Sequence, residues 1–309
     1  MIERLVRDGC LGVVVVIGLA VCLPATGKPG TKERVDRAHP PAARAPRQKG
    51  PPRYWQTYRV GKGEDLAEIA KTLGVEVADL KKWNRLRTNQ LKAGMRLKFY
   101  GPRLESQSVG RPSDGRLIAG VNLDPDGDNQ GTGWVIAARR EATFGTPETI
   151  RAVRKCVAQY RHNFARSRAD PVAIGDLSKR GGGPLPPHKS HQSGRDVDIG
   201  FILKKRSQNA MEGALRNATA DTLDAEKQWV LTRCFLELPE TQVIWMAHPI
   251  VAALKEYVQK IYKKRKNLLK KYLSYFPGGA RALIQADEDH TSHMHVRFRC
   301  PRGDRQCVK

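Results

Sequence analysis

Apolar residues recur at two spacings within residues 57–100 and together predict a compact βααβ unit. Tyr58 and Val60 alternate with polar residues, as in a short strand. The following residues have helical spacing, Gly74 ends the first helical segment, and Gly94 turns the chain into a closing strand. The apolar positions are Leu66, Ile69, Ala70 and Leu73 in the first helix, Val77, Leu80 and Trp83 in the second, and Met95, Leu97 and Phe99 in a closing strand.

Helical and strand patterns are mixed along residues 117–309, which predicts one larger domain. Pro147 suits the first turn of a helix that runs to about Ala165. Further helices are predicted over residues 224–238 and from Pro249 to near Tyr275, and strands over PVAIGDLS and TQVIWMA. We therefore expect an α+β chain, in which the small βααβ domain precedes a mixed α/β domain with a central antiparallel sheet.

Histidines and aspartates alternate with apolar residues on two of the predicted strands. Residues 188–200, HKSHQSGRDVDIG, run from a polar loop into a strand on which Asp196 and Asp198 alternate with apolar residues. In HMHVRF, His293 and His295 alternate with apolar residues in the same way. A buried carboxylate needs a compensating cation, and metal binding keeps neighbouring imidazoles neutral. Both strands therefore present candidate metal ligands on one face.

His191, Asp198 and one of the pair His293 and His295 make a set of two histidines and one carboxylate. Three protein ligands and one open position are the usual composition of a catalytic zinc site. Five of the chain's eight histidines fall in the two clusters, which favours a metal site over an ordinary polar loop. Gly194 lies between His191 and Asp198 in the chain and is expected to let the backbone turn closely past the metal between these two ligands.

Composition indicates the role of the N-terminal segment and the positions of two linkers. Residues 1–27 have the layout of a secretory signal, because Arg4 and Arg7 precede a short apolar run that small residues follow. An uncleaved anchor and lipidation at Cys22 are the alternatives. Residues 28–55 predict a basic disordered linker and residues 102–116 a second linker. We expect export to the periplasm or cell envelope, with a membrane tether at the N-terminus as one option.

The charge balance predicts a polyanionic partner. Lys and Arg number 55 against 31 Asp and Glu, and the net charge is +24. Export argues against a nucleic acid and leaves an anionic wall or membrane surface. The basic run KKRKNLLKK is either a solvated helix face or a tether to an anionic wall polymer. Four of the six cysteines lie outside the signal, which in an exported chain favours disulfides in one of three connectivities.

Residues 56–101 resemble a LysM domain, a small glycan-binding module. The resemblance rests on YRVGKGEDL, on Asn84 after the second helix and on LKAGMRL. It implies a site for N-acetylglucosamine glycan, with contacts at Gly63, Asp65 and Leu66. The chain departs from the family where Glu64-Asp65 replaces Asp-Thr or Asp-Ser. The alternative is a small structural domain without a ligand.

The segments HKSHQSGRDVDI and HTSHMHVRFRCP are similar to the signatures of the penicillin-insensitive murein endopeptidases, as are REATFGTPETI and the IGD of residues 174–176. The resemblance identifies residues 117–309 as a zinc metallopeptidase domain. It implies one Zn²⁺ per chain held by His191, Asp198 and His295, catalytic roles for His293 and His290, and a substrate-cleft position for His188. Asp196 is expected to support the site. The resemblance also implies a disulfide between Cys300 and Cys307, which leaves Cys156 and Cys234 for each other.

The function implied by the resemblance is hydrolysis of the D-alanyl–diaminopimelate cross-links of peptidoglycan. Zinc lowers the pKa of water toward about 7. The sequence has no H-E-x-x-H glutamate, so His293 is the candidate proton acceptor, with His290 sharing that role. A short tether to a glycan-binding LysM domain would raise the effective concentration of the peptidase domain at the same polymer. The alternatives are a D-Ala-D-Ala carboxypeptidase of the same fold and a non-catalytic peptidoglycan-binding protein.

Overall fold

The computed structural model describes residues 52–61, 63–126, 130–131, 133–139, 141–164, 169–204 and 215–309. The chain divides into two units, residues 1–50 and 51–309, and the description below concerns the second unit. The predicted signal and nearly all of the first predicted linker lie outside the described residues. Among the helices described, none has both the length and the apolar character needed to cross a membrane.

The first part of the described chain has the predicted βααβ order. Its elements are β1 (Arg53–Arg59), α1 (Leu66–Leu73), α2 (Val77–Asn84) and β2 (Arg96–Pro102). Strands β1 and β2 pair in antiparallel fashion along their whole length. Asp65 caps α1 by accepting a hydrogen bond from the Glu68 N–H at 2.8 Å, and Gly74 ends α1 in a left-handed conformation. The predicted apolar positions of both helices and both strands face one core, with Leu66, Ile69, Leu80, Leu97 and Phe99 almost fully buried.

A β-hairpin lies where the sequence predicts a linker over residues 102–116. Strands β3 (Gln107–Arg111) and β4 (Asp114–Ile118) pair with each other. The Gly110 N–H donates to the Gln306 carbonyl at 2.9 Å, and the Gly110 carbonyl accepts from the Val308 N–H at 3.0 Å. The structure differs from the expected linker because these partners come from the far end of the chain, which local composition does not reveal.

The βααβ block is packed against this hairpin. Ile118 of β4 belongs to the same apolar core as Tyr58 and Leu97. Glu64 forms an ion pair with Arg116 of β4 and accepts a hydrogen bond from the Tyr58 hydroxyl at 2.6 Å, and both charged side chains are largely buried. The block therefore packs directly against the hairpin. The sequence predicts only a short tether between the two domains, and the structure differs from that prediction.

A seven-stranded mixed sheet forms the centre of the larger region. The remaining strands are β5 (Val121–Asn122), β6 (Gln130–Gly131), β7 (Trp134–Ile136), β8 (Phe144–Gly145), β9 (Val172–Ile174), β10 (Asp196–Gly200), β11 (Thr241–Met246), β12 (Ile284–Ala286) and β13 (His293–Phe298). The sheet has the order β12-β11-β13-β10-β9-β7-β6. Its middle strands β11, β13, β10 and β9 are antiparallel, as predicted, whereas β12 pairs with β11 and β7 with β9 in parallel.

Helices cover the apolar side of this sheet. They are α3 (Pro147–Asn163), α4 (Ala225–Glu237), α5 (His248–Tyr262) and α6 (Lys266–Leu273). Helices α3 and α4 agree with the prediction within two residues. The single helix predicted from Pro249 to Tyr275 is wrong, because the chain breaks between α5 and α6. The rings of Tyr262 and Tyr272 pack 4.8 Å apart, whereas residues ten apart in a continuous helix are separated by about 15 Å.

Two disulfides stabilise this region, and both agree with the expected pairing. Cys156 of α3 bonds to Cys234 of α4 across 78 residues, and Cys300 bonds to Cys307 across 7 residues. The first joins two helices inside the core, where both cysteines are buried. The second closes the C-terminal loop that pairs with β3.

Removing each disulfide separately is expected to have unequal effects on stability. Because a cross-link restricts the unfolded chain more when its loop is longer, replacing Cys156 and Cys234 by Ala should cost about 4 kcal/mol, and replacing Cys300 and Cys307 by Ala about 2 kcal/mol. Thermal melts of the two double variants measure the difference, with a larger drop in Tm of about 10 °C for the first. Equal drops in Tm would show that loop length does not set the contribution of these bridges.

Candidate metal centre and active site

The pairing of β10 with β13 brings the two predicted clusters side by side. In this antiparallel register Asp198 lies opposite His295, and Gly200 lies opposite His293. Because alternate residues of a strand share a face, these three polar side chains project from the same side of the sheet. The apolar residues between them are fully buried on the other side. The predicted alternation is thus confirmed on both strands.

His191 is placed by the loop before β10. Its backbone φ is +67°, a left-handed conformation that few residues other than glycine adopt. The His191 N–H donates to Asp196 Oδ2 at 3.0 Å, and its Nδ1 lies 2.7 Å from the Leu177 carbonyl. A carbonyl only accepts, so Nδ1 carries the proton and Nε2 has a free lone pair. His191 Nε2 is therefore oriented as a metal ligand would be.

Three imidazole nitrogens surround one oxygen of Asp198. Asp198 Oδ1 lies 3.3 Å from His191 Nε2, 3.3 Å from His295 Nδ1 and 3.4 Å from His293 Nε2. The side chains of His191 and Asp198 are almost completely buried. Among the described residues neither His191 Nε2 nor Asp198 Oδ1 has a hydrogen-bond partner. Such orphaned buried atoms are costly unless a cation binds them, so this donor set fits a metal ion.

His188 also lies close to these groups. Its ligand atoms, together with those of His191 and Asp198, fall within 4.8 Å of one another. His188 is more exposed, however, and its Nε2 already lies 3.0 Å from Asp176 Oδ2, while its Nδ1 is 3.9 Å from Asp198 Oδ2. Its position matches that of a residue lining the cleft and also permits metal ligation.

The buried carboxylates and imidazoles of the centre shift one another's pKa values toward the charged forms. Burial alone would raise the pKa of Asp198, but His191 and His295 hold it well below its usual range. Asp196 also has a pKa well below its usual value despite burial, because of His295 and of Arg297, whose Nε donates to Asp196 Oδ1 at 2.7 Å. Burial lowers the pKa of His295, yet Asp196 and Asp198 outweigh it and raise that pKa to about 9. Asp196 thus supports the site, as expected.

His293 has the opposite electrostatic character. Burial lowers its pKa to about 4, and the opposing effect of Asp198 does not restore it. Its Nδ1 lies 3.0 Å from the Ser292 hydroxyl, which leaves Nε2 directed toward Asp198. His290 packs edge to face with His293, with ring centroids 5.2 Å apart, and its Nδ1 lies 2.9 Å from Asp287 Oδ1. Both candidate catalytic histidines therefore line the same site.

Several residues at the site were missed by the sequence reasoning. Trp245 of β11 lies opposite His295, packs edge to face with it at 5.2 Å and stacks on His290. No local signal marks Trp245, because its place depends on strand pairing. Asp176 accepts hydrogen bonds from Arg139 Nη2 at 2.7 Å and also contacts His188. Burial would raise the pKa of Asp176, but His188 and Arg139 lower it to about 2. The IGD segment was the only sequence signal for Asp176.

Gly194 turns the chain at the place expected, but its closest neighbours are not the metal ligands. Its φ is +77°, and a Cβ there would come within 2.6 Å of Leu117 Cδ1 and 3.1 Å of the Thr146 nitrogen. The Thr146 N–H donates to the Gly194 carbonyl at 2.9 Å. Gly194 therefore allows the ligand loop to pack against β4 and the start of α3.

The predicted glycan contacts of the βααβ block have different surroundings. Gly63 is open, since nothing lies within 4 Å of a Cβ built there. The Asp65 carboxylate is engaged in capping α1. The Leu66 side chain is buried in the core, so it cannot reach a bound glycan. Any contact from Leu66 would have to come from its backbone.

Comparison with known proteins finds a matching family for each of the two parts of the chain. Residues 108–309 match the family of penicillin-insensitive murein endopeptidases, and residues 58–99 match the LysM domain. A penicillin-insensitive murein endopeptidase of Salmonella paratyphi C (strain RKS4594) is 27% identical over 207 residues, which is 65% of this chain and 69% of the relative. One from Yersinia pestis bv. Antiqua (strain Antiqua) is 26% identical over 206 residues, with the same two shares. The chain thus belongs to the penicillin-insensitive murein endopeptidase family and carries a LysM domain ahead of its peptidase domain.

Proposed function

We propose that this protein is a zinc-dependent endopeptidase that hydrolyses the D-alanyl–diaminopimelate cross-links of peptidoglycan. The observation that carries the proposal is the buried pair of unpartnered atoms, His191 Nε2 and Asp198 Oδ1, 3.3 Å apart. Nitrogen and carboxylate donors in this number suit zinc. Membership of a murein endopeptidase family supplies the reaction class.

His191, Asp198 and His295 are the proposed metal ligands. His295 is preferred to His188 as the third ligand for two reasons. His295 Nδ1 lies 3.3 Å from Asp198 Oδ1, compared with 3.9 Å between His188 Nδ1 and Asp198 Oδ2. His188 is also more exposed and contacts Asp176. His188 is instead proposed to line the substrate cleft, together with Arg139.

The residues around the metal have distinct proposed roles in peptide hydrolysis. When bound, zinc supplies a Lewis acid that polarises the scissile carbonyl and acidifies a water molecule. His293 is neutral at neutral pH because its pKa is about 4, so its Nε2 can accept a proton and later return it. His290 lies beside it and shares the stabilisation of developing charge. Trp245 packs against the rings of His295 and His290 and flanks the site on that side.

The LysM domain is proposed to bind the N-acetylglucosamine glycan of the same polymer, through the loop at Gly63 and Asp65. The basic surface, including the KKRKNLLKK run that links α5 to α6 and continues along α6, adds attraction to an anionic wall. We place the protein in the periplasm or cell envelope after export, with no role for nucleic acid. This location follows from the proposed substrate and from the N-terminal signal pattern.

Digestion of purified cross-linked sacculi, with and without a chelator, tests the function. We expect the cross-linked muropeptide dimers to disappear, the chelator to stop the reaction and added zinc to restore it. Loss of only terminal D-alanine from monomers would identify a carboxypeptidase instead. Binding to sacculi without any cleavage would identify a non-catalytic peptidoglycan-binding protein.

A further inference from the structure

A cleft of about 770 Å³ lies between the LysM domain and the peptidase domain. The LysM domain contributes Arg59, Gly63 and Ala93 to its lining, and the opposite wall includes Ser113 and Lys179. The volume falls within the range of about 300–1,000 Å³ that is usual for ligand sites. Because Gly63 belongs to the proposed glycan loop, that loop opens into a space that both domains enclose.

The cleft has walls fixed by packing. The buried ion pair of Glu64 and Arg116 holds the LysM domain against β4. On the other side, the Gly183 N–H donates to the Gly115 carbonyl at 3.1 Å and to the Gln192 carbonyl at 2.9 Å. Gly182 packs so closely that a Cβ there would lie 2.1 Å from the Gln192 oxygen. The cleft is therefore a formed site, with no movement of the domains needed to create it.

The peptidase wall of the cleft includes part of the loop that carries the proposed metal ligand His191. Lys179 and residues 181–184 line the cleft, and the same segment continues along the chain to His188 and His191. Gln192, which lines the cleft, is the neighbour of His191 in the chain. A polymer held in the cleft would consequently lie next to the loop that carries a metal ligand.

The chemistry of the cleft suits a polyhydroxylated ligand better than a polyanion. Its lining has both signs of charge, with Arg59 and Lys179 balanced by Glu68 and Asp114. Among the described residues Arg59 forms no ion pair, and its side chain extends toward Gly181, whose Cβ position is 3.7 Å from Arg59 Cδ. Carboxylates accept and guanidinium groups donate hydrogen bonds, so together they match sugar hydroxyls and N-acetyl groups.

We propose that this cleft binds the glycan strand of the substrate, so that the LysM domain forms one wall of the substrate site and does not act as an independent anchor. The inference rests on the proposed function and deepens it, because it connects glycan binding with the position of the scissile peptide. Glycan held between the two domains would present its attached peptide to the metal centre from a fixed direction.

The test uses the full chain and narrows the cleft from each wall in turn. Ala93→Trp fills it from the LysM side and Ser113→Trp from the peptidase side, while Ala78→Trp, on the exposed surface of α2, is the matched control. Binding of the β-1,4-linked N-acetylglucosamine pentamer, which has no cross-link peptide to cleave, is measured by calorimetry on the full chain as isolated. Cleavage is measured on sacculi and on a cross-linked peptide dimer that has no glycan.

We expect Ala93→Trp and Ser113→Trp each to weaken pentamer binding by about tenfold or more and to lower the ratio of sacculus cleavage to dimer cleavage by a similar factor. Ala78→Trp should change neither quantity. Weakened binding with Ala93→Trp alone would overturn the proposal, since the LysM domain would then bind by itself. Unchanged binding in both variants would also overturn it. Trp55→Ala then tests, as the true site, the aromatic surface formed by the exposed Trp55 and the half-buried Trp83. Failure of the wild type to cleave the dimer would refute the proposed function and leave the binding result standing.

Discussion

His191→Ala is expected to remove both bound zinc and hydrolysis of sacculi. His191 contributes a buried, unpartnered Nε2 that lies 3.3 Å from Asp198 Oδ1. Since a three-ligand site loses one donor, we expect less than about a tenth of the wild-type zinc content and a loss of activity of at least about 10³-fold. Metal analysis by mass spectrometry and separation of muropeptides measure the two effects, and circular dichroism checks that the variant is folded.

Two further histidine variants sharpen this experiment. His248→Ala is the matched control, because His248 is exposed at the start of α5. It should keep full zinc content and activity. His188→Ala separates the two possible ligand sets, and we expect it to retain one zinc per chain with reduced activity. Retention of zinc and cleavage by His191→Ala would refute the proposed centre, whereas loss of zinc in His188→Ala would make His188 a ligand.

His293→Ala is expected to lower kcat by about 10²- to 10⁴-fold while leaving the zinc content unchanged. This range is typical for the loss of a general base. The side chain lies beside the proposed ligands, with its Nε2 3.4 Å from Asp198 Oδ1. Single-turnover cleavage of a defined peptide dimer, together with metal analysis, separates a loss of proton transfer from a loss of metal.

The pH dependence follows from the direction of the His293 pKa shift. Burial lowers the pKa to about 4 against the opposing effect of Asp198, so the base form is present above that pH and is lost as pH falls through about 4. We therefore expect His293 to cause no loss of rate between pH 5 and pH 8. Loss of zinc in the His293→Ala variant would show that His293 is a ligand. Unchanged kcat would transfer the role of base to His290.

The elements with strong local signals were predicted well. The βααβ block follows directly from apolar spacing together with the helix stop at Gly74 and the turn at Gly94 before β2, because each of its helices has one buried face. Helix α3 is likewise marked by Pro147 at its first turn. The break between α5 and α6 was missed because no proline or glycine stands there. The break brings Tyr262 against Tyr272, which is a contact between two helices and not a property of the local sequence.

The sequence by itself determined which residues are candidate metal ligands and on which face of each strand they lie. That was possible because alternation along a strand is a local property, and Asp198 and His295 each show it. Only the tertiary structure decided that these two residues lie opposite each other and that His191 turns its Nε2 toward them. The tertiary structure alone also shows that Trp245 and Asp176 lie at the site and that Glu64 and Arg116 hold the LysM domain against β4. These relations depend on the register between distant strands and on packing between domains, and neither is a property of any local stretch of the chain.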